Sequence, residues 1–181
     1  MVDKQPSSGR PVAVPEPSEA APAVHLLVER RQTLAVAESL TGGLLAATIV
    51  EVAGVSAVFR GGLVVYATDL KASLAGVDEG LLAARGPVDP DVAIELAEGV
   101  REACKADWGI ATTGVAGPDP QGGRAVGTVY VAVAGPGPGL RRVLELHLGG
   151  GRAAIRSGAV SHALELLVEL LRSPTANSTA S

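Results

Sequence analysis

The chain has 181 residues, 47% of them apolar and 19% charged, with a formal net charge of −4, 23 glycines and 12 prolines. That balance describes one globular, turn-rich domain and excludes a coiled coil or a disordered polymer. With 15 basic against 19 acidic residues and 2% aromatics, the chain offers neither a general attraction for a phosphate backbone nor a surface on which bases stack, so direct nucleic-acid binding is not expected.

The lone Cys104 precludes an internal disulfide, and no run of His, Cys and carboxylates has metal-ligand spacing, so neither a metal nor another cofactor is expected. No apolar stretch reaches the roughly 18 residues of a membrane span and no leader pattern opens the chain, which places the expectation in a reducing cytoplasm without membrane association. Residues 1–21, with Pro6, Pro11, Pro15 and Pro17 and few large apolar side chains, read as a disordered tail, as do residues 173–181. One folded domain then spans 22–172.

Within it, "HLLVERR" closes a short helix and "TLAVAES" is a strand whose continuous apolar character predicts burial on both faces. A helix over 41–52 follows, then a second strand in "GGLVVYA" and short helical pieces in "DLKASLAG" and "GLLAARG". Val92, Leu96, Val100 and Ala103 keep helical spacing from Pro90 to Cys104, with the proline placed to open that helix. "WGIATTG" is another buried strand, "VGTVYVAVAG" and "LRRVLELHLG" form two strands joined around "PGPG", and a long helix covers 152–171. The order predicts an α/β fold, a mixed, mostly parallel sheet with helices on both faces. Ligands in such sheets collect beyond the carboxyl ends of the strands, where "AES", "VYATDLK" and "TTGVAGP" all end.

The stretch "VAESLTGGLL" can be read two ways. Ser39 or Thr41 can cap the following helix. Alternatively, Gly42 and Gly43 strip side chains from the first turn, exposing amides that would hold an oxyanion or phosphate while the Ser39 hydroxyl attacks. A base is then needed. His25, His147 and His162 fall at poorly placed positions for a Ser-His-Asp arrangement. Lys71 follows a buried strand five residues after Tyr66, and acts as a base near neutrality only if burial lowers its pKa by about three units, roughly 4 kcal/mol. Otherwise it is a solvated lysine on a helix face, and Tyr66 a half-buried strand aromatic. "TTGVAGPDPQGG" reads as a long turn or as a wall of open amides and hydroxyls, from Thr112, Thr113, Gly114 and Gly117, facing the same crevice. It has neither a P-loop ending nor a dinucleotide fingerprint. Arg152 and Arg156, four apart at the start of the last helix, could fork onto a phosphate or pair with surface carboxylates.

"AESLTGG", "GGLVVYATDLK", "GPVDPDVAIELAEGVR", "TTGVAGPDPQGG" with "VGTVYVAVA", and "GGGRAAIR" resemble, in order and spacing, the CinA C-terminal domain family, whose stand-alone members are nicotinamide-nucleotide amidohydrolases. The resemblance covers about residues 24–171. It implies a three-layer α/β/α fold, self-association, and metal-free hydrolysis of nicotinamide mononucleotide to nicotinate mononucleotide and ammonia in pyridine nucleotide salvage. Carried over by motif, Ser39 becomes the nucleophile, Lys71 the base, Tyr66 its neighbour and Thr113 a hydroxyl at the site. Thr41, Gly42, Gly43, Gly114, Gly117, Arg152 and Arg156 are the expected substrate-binding set. Thr68 stands where the family often carries asparagine, and "GGGR" where Gly-Asp/Asn-Arg is usual. The molybdopterin-binding-like domain of longer relatives is expected to be absent. Two other functions compete at this level: a non-catalytic module that grips a nucleotide phosphate, and a competence or DNA-damage accessory protein.

Overall fold

The computed structural model describes residues 18–137 and 139–173. Within them a five-stranded sheet is built from β1 (Leu34–Glu38), β2 (Phe59–Val64), β3 (Trp108–Gly114), β4 (Thr128–Ala134) and β5 (Arg141–His147) in the order β2-β1-β3-β4-β5. β1 pairs parallel with both β2 and β3, whereas β3–β4 and β4–β5 are antiparallel, so β4 alone runs against the other four. The helices are α1 (Ala21–Arg30), α2 (Leu44–Val50), α3 (Thr68–Ala75), α4 (Glu79–Arg85), α5 (Pro90–Ala103) and α6 (Arg152–Arg172).

The alternation of side chains along each strand divides the core in two. Leu34, Val36, Trp108, Ile110, Val129, Val131 and Val133 face α1, α2 and α6. The intervening residues, Ala35, Ala37, Ala111, Ala132 and Ala134, face α5. Apart from Tyr130, the buried strand side chains on the α5 side are small, which lets α5 lie close against the sheet. A Cβ at Gly109 would stand 2.0 Å from the Ala97 carbonyl oxygen of α5. These two layers around one sheet are the α/β/α sandwich that the element order predicts.

Three boundaries differ from the sequence reading. β2 runs from Phe59 to Val64 and stops before Tyr66, because the Val65 amide still pairs with the Glu38 carbonyl at 2.8 Å while the Val65 carbonyl turns to Lys71. α2 begins at Leu44 and not at Thr41, because Gly42 and Gly43 have φ of 58° and 95° and make a turn that helical backbone cannot. At the N-terminus, residues 18–21 are packed and not part of a tail: Ala20 is fully buried, Ser18 Oγ donates to the Thr48 carbonyl and Ser161 Oγ donates to Glu19. The rest of the first tail and residues 174–181 lie outside the described residues.

Candidate active site

The carboxyl ends of β1, β2 and β3 meet at one edge of the sheet, and the ladder itself fixes the residue after β1. The Ser39 amide donates to the Thr112 carbonyl of β3 at 3.0 Å, continuing the parallel register one step beyond Glu38↔Thr112. On the other side, the loop after β2 lets α3 begin at Thr68, and Lys71 reaches back beneath the strand ends. Lys71 Nζ lies 3.1 Å from Ser39 Oγ and donates to the Val65 carbonyl at 2.7 Å. Two residues 32 positions apart are therefore neighbours because parallel strands β1 and β2 end together.

Lys71 is only 1% exposed. Desolvation by burial lowers its pKa to about 8, since an ammonium loses hydration that one carbonyl and one hydroxyl do not replace. Ser39 is 9% exposed and forms part of the floor of a cleft whose walls are the 66–68 segment, Pro87 and Val88, the 113–121 loop and Arg152. The cleft encloses about 100 Å³ and opens to solvent beyond that, less than the roughly 300–1,000 Å³ usual for small-molecule sites. The amine thus approaches the hydroxyl from the protein side, and the cleft approaches it from solvent.

The cap expected of Ser39 or Thr41 is supplied by a different residue. The Glu38 carboxylate, 1% exposed, accepts from the amides of Gly43 (2.9 Å), Leu45 (3.0 Å) and Ala46 (2.8 Å) at the start of α2. Thr41 Oγ1 instead pairs with Thr112 Oγ1 at 2.7 Å, fully buried. The Gly42 amide donates to the Ser39 carbonyl at 3.1 Å. Thr41, Gly42 and Gly43 therefore do not wall the cleft, and both glycine amides are spent within the protein. Near Ser39 the amides of Leu40 and Thr41 have no acceptor among the described residues, and Leu40 lines the cleft.

The remaining expected residues divide. Thr113, Gly114 and Gly117 line the cleft, with Thr113 Oγ1 donating to the Pro87 carbonyl at 2.6 Å. Gly114 allows β3 to touch β4, for a Cβ there would come within 2.7 Å of the Thr128 carbonyl. Tyr66, which the resemblance makes the neighbour of Lys71, is exposed at the mouth, and its hydroxyl accepts from Arg152 Nη2 at 2.8 Å and not from the lysine. Arg152 Nη1 donates to the Gly117 carbonyl at 2.7 Å, so this one side chain joins two walls. Arg156 turns away from the cleft, its Nε donating to the Leu40 carbonyl at 3.0 Å and its Nη2 to the Thr41 carbonyl. None of the three histidines lines the cleft. Among the described residues no three His, Cys, Asp or Glu side chains are placed to hold a metal ion, and no helix is long and apolar enough to cross a membrane.

Sequence reasoning passed over Glu38 and misread Arg156. For Glu38 a signal existed: a carboxylate ending an otherwise apolar buried strand must find donors. For Arg156 none did, because its partners lie more than a hundred positions away.

Residues 18–171 match the CinA C-terminal domain model. A CinA-like protein of Frankia casuarinae is 53% identical over 146 residues, 81% of this chain and 33% of that protein. A putative competence-damage inducible protein of a Geobacillus strain is 42% identical over 148 residues, covering 82% and 35%. The chain thus spans about a third of the length of the curated relatives it matches. Among solved structures, the competence/damage inducible protein CihA of Agrobacterium tumefaciens superposes with a TM-score of 0.80 at 32% identity, over 88% of this chain and 99% of that one.

Proposed function

The chain belongs to the CinA C-terminal domain family, and on that footing we propose that it is an amidohydrolase converting nicotinamide mononucleotide to nicotinate mononucleotide and ammonia through an acyl-enzyme on Ser39. The observation that carries the reading is the 3.1 Å pairing of Ser39 with a buried lysine whose pKa is lowered to about 8. A solvated lysine on a helix face would have neither property.

Neutral Lys71 accepts the Ser39 proton as Oγ attacks the carboxamide carbon. The oxygen that becomes anionic is met by the amide of Leu40, which lines the cleft, since those of Gly42 and Gly43 are occupied. Lys71, now an ammonium, gives its proton to the leaving nitrogen, ammonia departs, and the pyridine carbonyl stays bonded to Ser39. Water attacks that ester with Lys71 again taking the proton, which restores the serine and yields the carboxylate. Arg152, exposed at the mouth with two of its donors on Tyr66 and Gly117, keeps further N–H groups for the ligand phosphate, and Tyr66 steadies it.

The test is ammonia release from nicotinamide mononucleotide. The native protein turns over, while Ser39→Ala and Lys71→Ala lose at least about 10³-fold with unchanged circular dichroism. A native protein that binds the nucleotide without releasing ammonia is a binding module, and the amidase reading then falls.

A further inference from the structure

We propose that Arg156 is a positioning residue that sets the turn carrying Ser39, and not part of an anion site. Its guanidinium donates to the carbonyls of Leu40 and Thr41, the two residues that follow the serine. In a trans peptide the N–H points opposite to the C=O. Gripping those carbonyls therefore aims the amides of Thr41 and Gly42 away from the arginine, and the Gly42 amide closes back onto the Ser39 carbonyl at 3.1 Å.

A second charge holds the same turn from its far end, where the Glu38 carboxylate takes the amides of Gly43, Leu45 and Ala46. The segment from 39 to 46 is thus fixed by a cation on its carbonyls and an anion on its amides. Hydrogen bonds to ionised groups are the stronger kind, and the turn's two left-handed glycines give it no stiffness of their own. Arg156 is not among the residues walling the cleft, whereas Arg152, one turn earlier on α6, is. For Arg156 to reach a ligand phosphate it would have to release the turn.

The test pairs two readouts, one of which does not depend on the substrate proposed above. Native protein, Arg156→Ala and Arg156→Lys are treated with a fluorophosphonate, and labelling of Ser39 is followed by mass spectrometry. The same proteins are assayed for ammonia release from nicotinamide mononucleotide and from nicotinamide riboside, which has no phosphate. Loss of the clamp slows labelling by about 10- to 100-fold and lowers kcat equally for both substrates, with KM within about twofold. Arg156→Lys, whose single ammonium cannot fork across two carbonyls, loses part of that rate and provides the comparison should the alanine variant fold poorly. Native labelling rates together with a KM raised only for the phosphorylated substrate would make Arg156 an anion ligand and overturn the proposal. A native protein that labels at Ser39 but releases no ammonia ends the amidase reading while the labelling comparison still decides the role of Arg156. Failure of the native protein to label overturns both.

Discussion

At the scale of single residues, the lysine is where burial and chemistry conflict. Its pKa of about 8 against the ordinary 10.5 means the unfolded chain binds more protons than the folded one between those values. Stability contributed by this group therefore rises with pH from about 8 to 10.5, and below pH 8 the full burial penalty is present. Lys71→Met removes the penalty but leaves the Val65 carbonyl without its 2.7 Å donor, which costs about 1 kcal/mol or more. The variant should be inactive and yet more stable than native by about 1–2 kcal/mol at pH 7, the difference shrinking toward pH 10.5, as urea titrations at several pH values would register. In the native protein kcat/KM should climb with an apparent pKa near 8 as Lys71 loses its proton; a flat profile from pH 6 to 9 would rule out the amine as base. That Ser39 and Lys71 stand side by side could be anticipated from the sequence, because each sits in a short motif after an apolar run. The partners of Tyr66 and Arg156 could not, because which side chain a guanidinium meets depends on how α6 docks, and local sequence holds no record of that.

At the scale of elements, strands and helices were readable from periodicity, and their ends were not. Apolar alternation reports which face a residue takes; it does not report where a ladder hydrogen bond is exchanged for a side-chain one, as at Val65. The same pattern hides the closeness of α5. Gly99, in mid-helix, would by propensity gain about 1 kcal/mol as alanine, but a Cβ there would stand 1.6 Å from the Ala75 carbonyl, where α3 crosses. A Cβ at Gly109 would meet the Ala97 carbonyl of α5 from the sheet side at 2.0 Å. Both obstacles are backbone atoms, so relief requires moving a helix. Gly99→Ala and Gly109→Ala should each destabilise by about 2–3 kcal/mol, a fall of roughly 5–10 °C in Tm. Gly149→Ala, with no atom within 4 Å and no positive φ, should stay within about 0.5 kcal/mol. Gly99→Ala melting above the native protein would mean that helix propensity outweighs the crossing.

At the scale of the molecule, charge bears on the competence and damage-inducible wording in the names of several relatives. A protein that binds a nucleic-acid backbone needs unspent cations arrayed along one face. Here Arg85 lies 2.8 Å from Asp91, Arg124 3.4 Å from Asp89, Arg141 3.0 Å from Glu98 and Arg142 3.8 Å from Glu169, and Arg156 is committed to carbonyls. The groove between α3 and α5 is lined by Asp78, Glu95, Glu98 and Glu102, which repels a polyanion. Arg152 is the one arginine among the residues that wall the cleft, a supply suited to one phosphate and not to a chain of them. A single phosphate contact gives a log–log salt slope near −1, whereas a duplex held by six contacts gives about −5. Between 50 and 200 mM salt, KM for the mononucleotide should therefore rise by no more than about fourfold, and fluorescence anisotropy at 150 mM salt should detect no duplex or single-strand binding tighter than about 10⁻⁴ M. Micromolar DNA affinity with a steep salt slope would point to a cationic face that these ion pairs do not provide, and would move the protein's function away from the cleft.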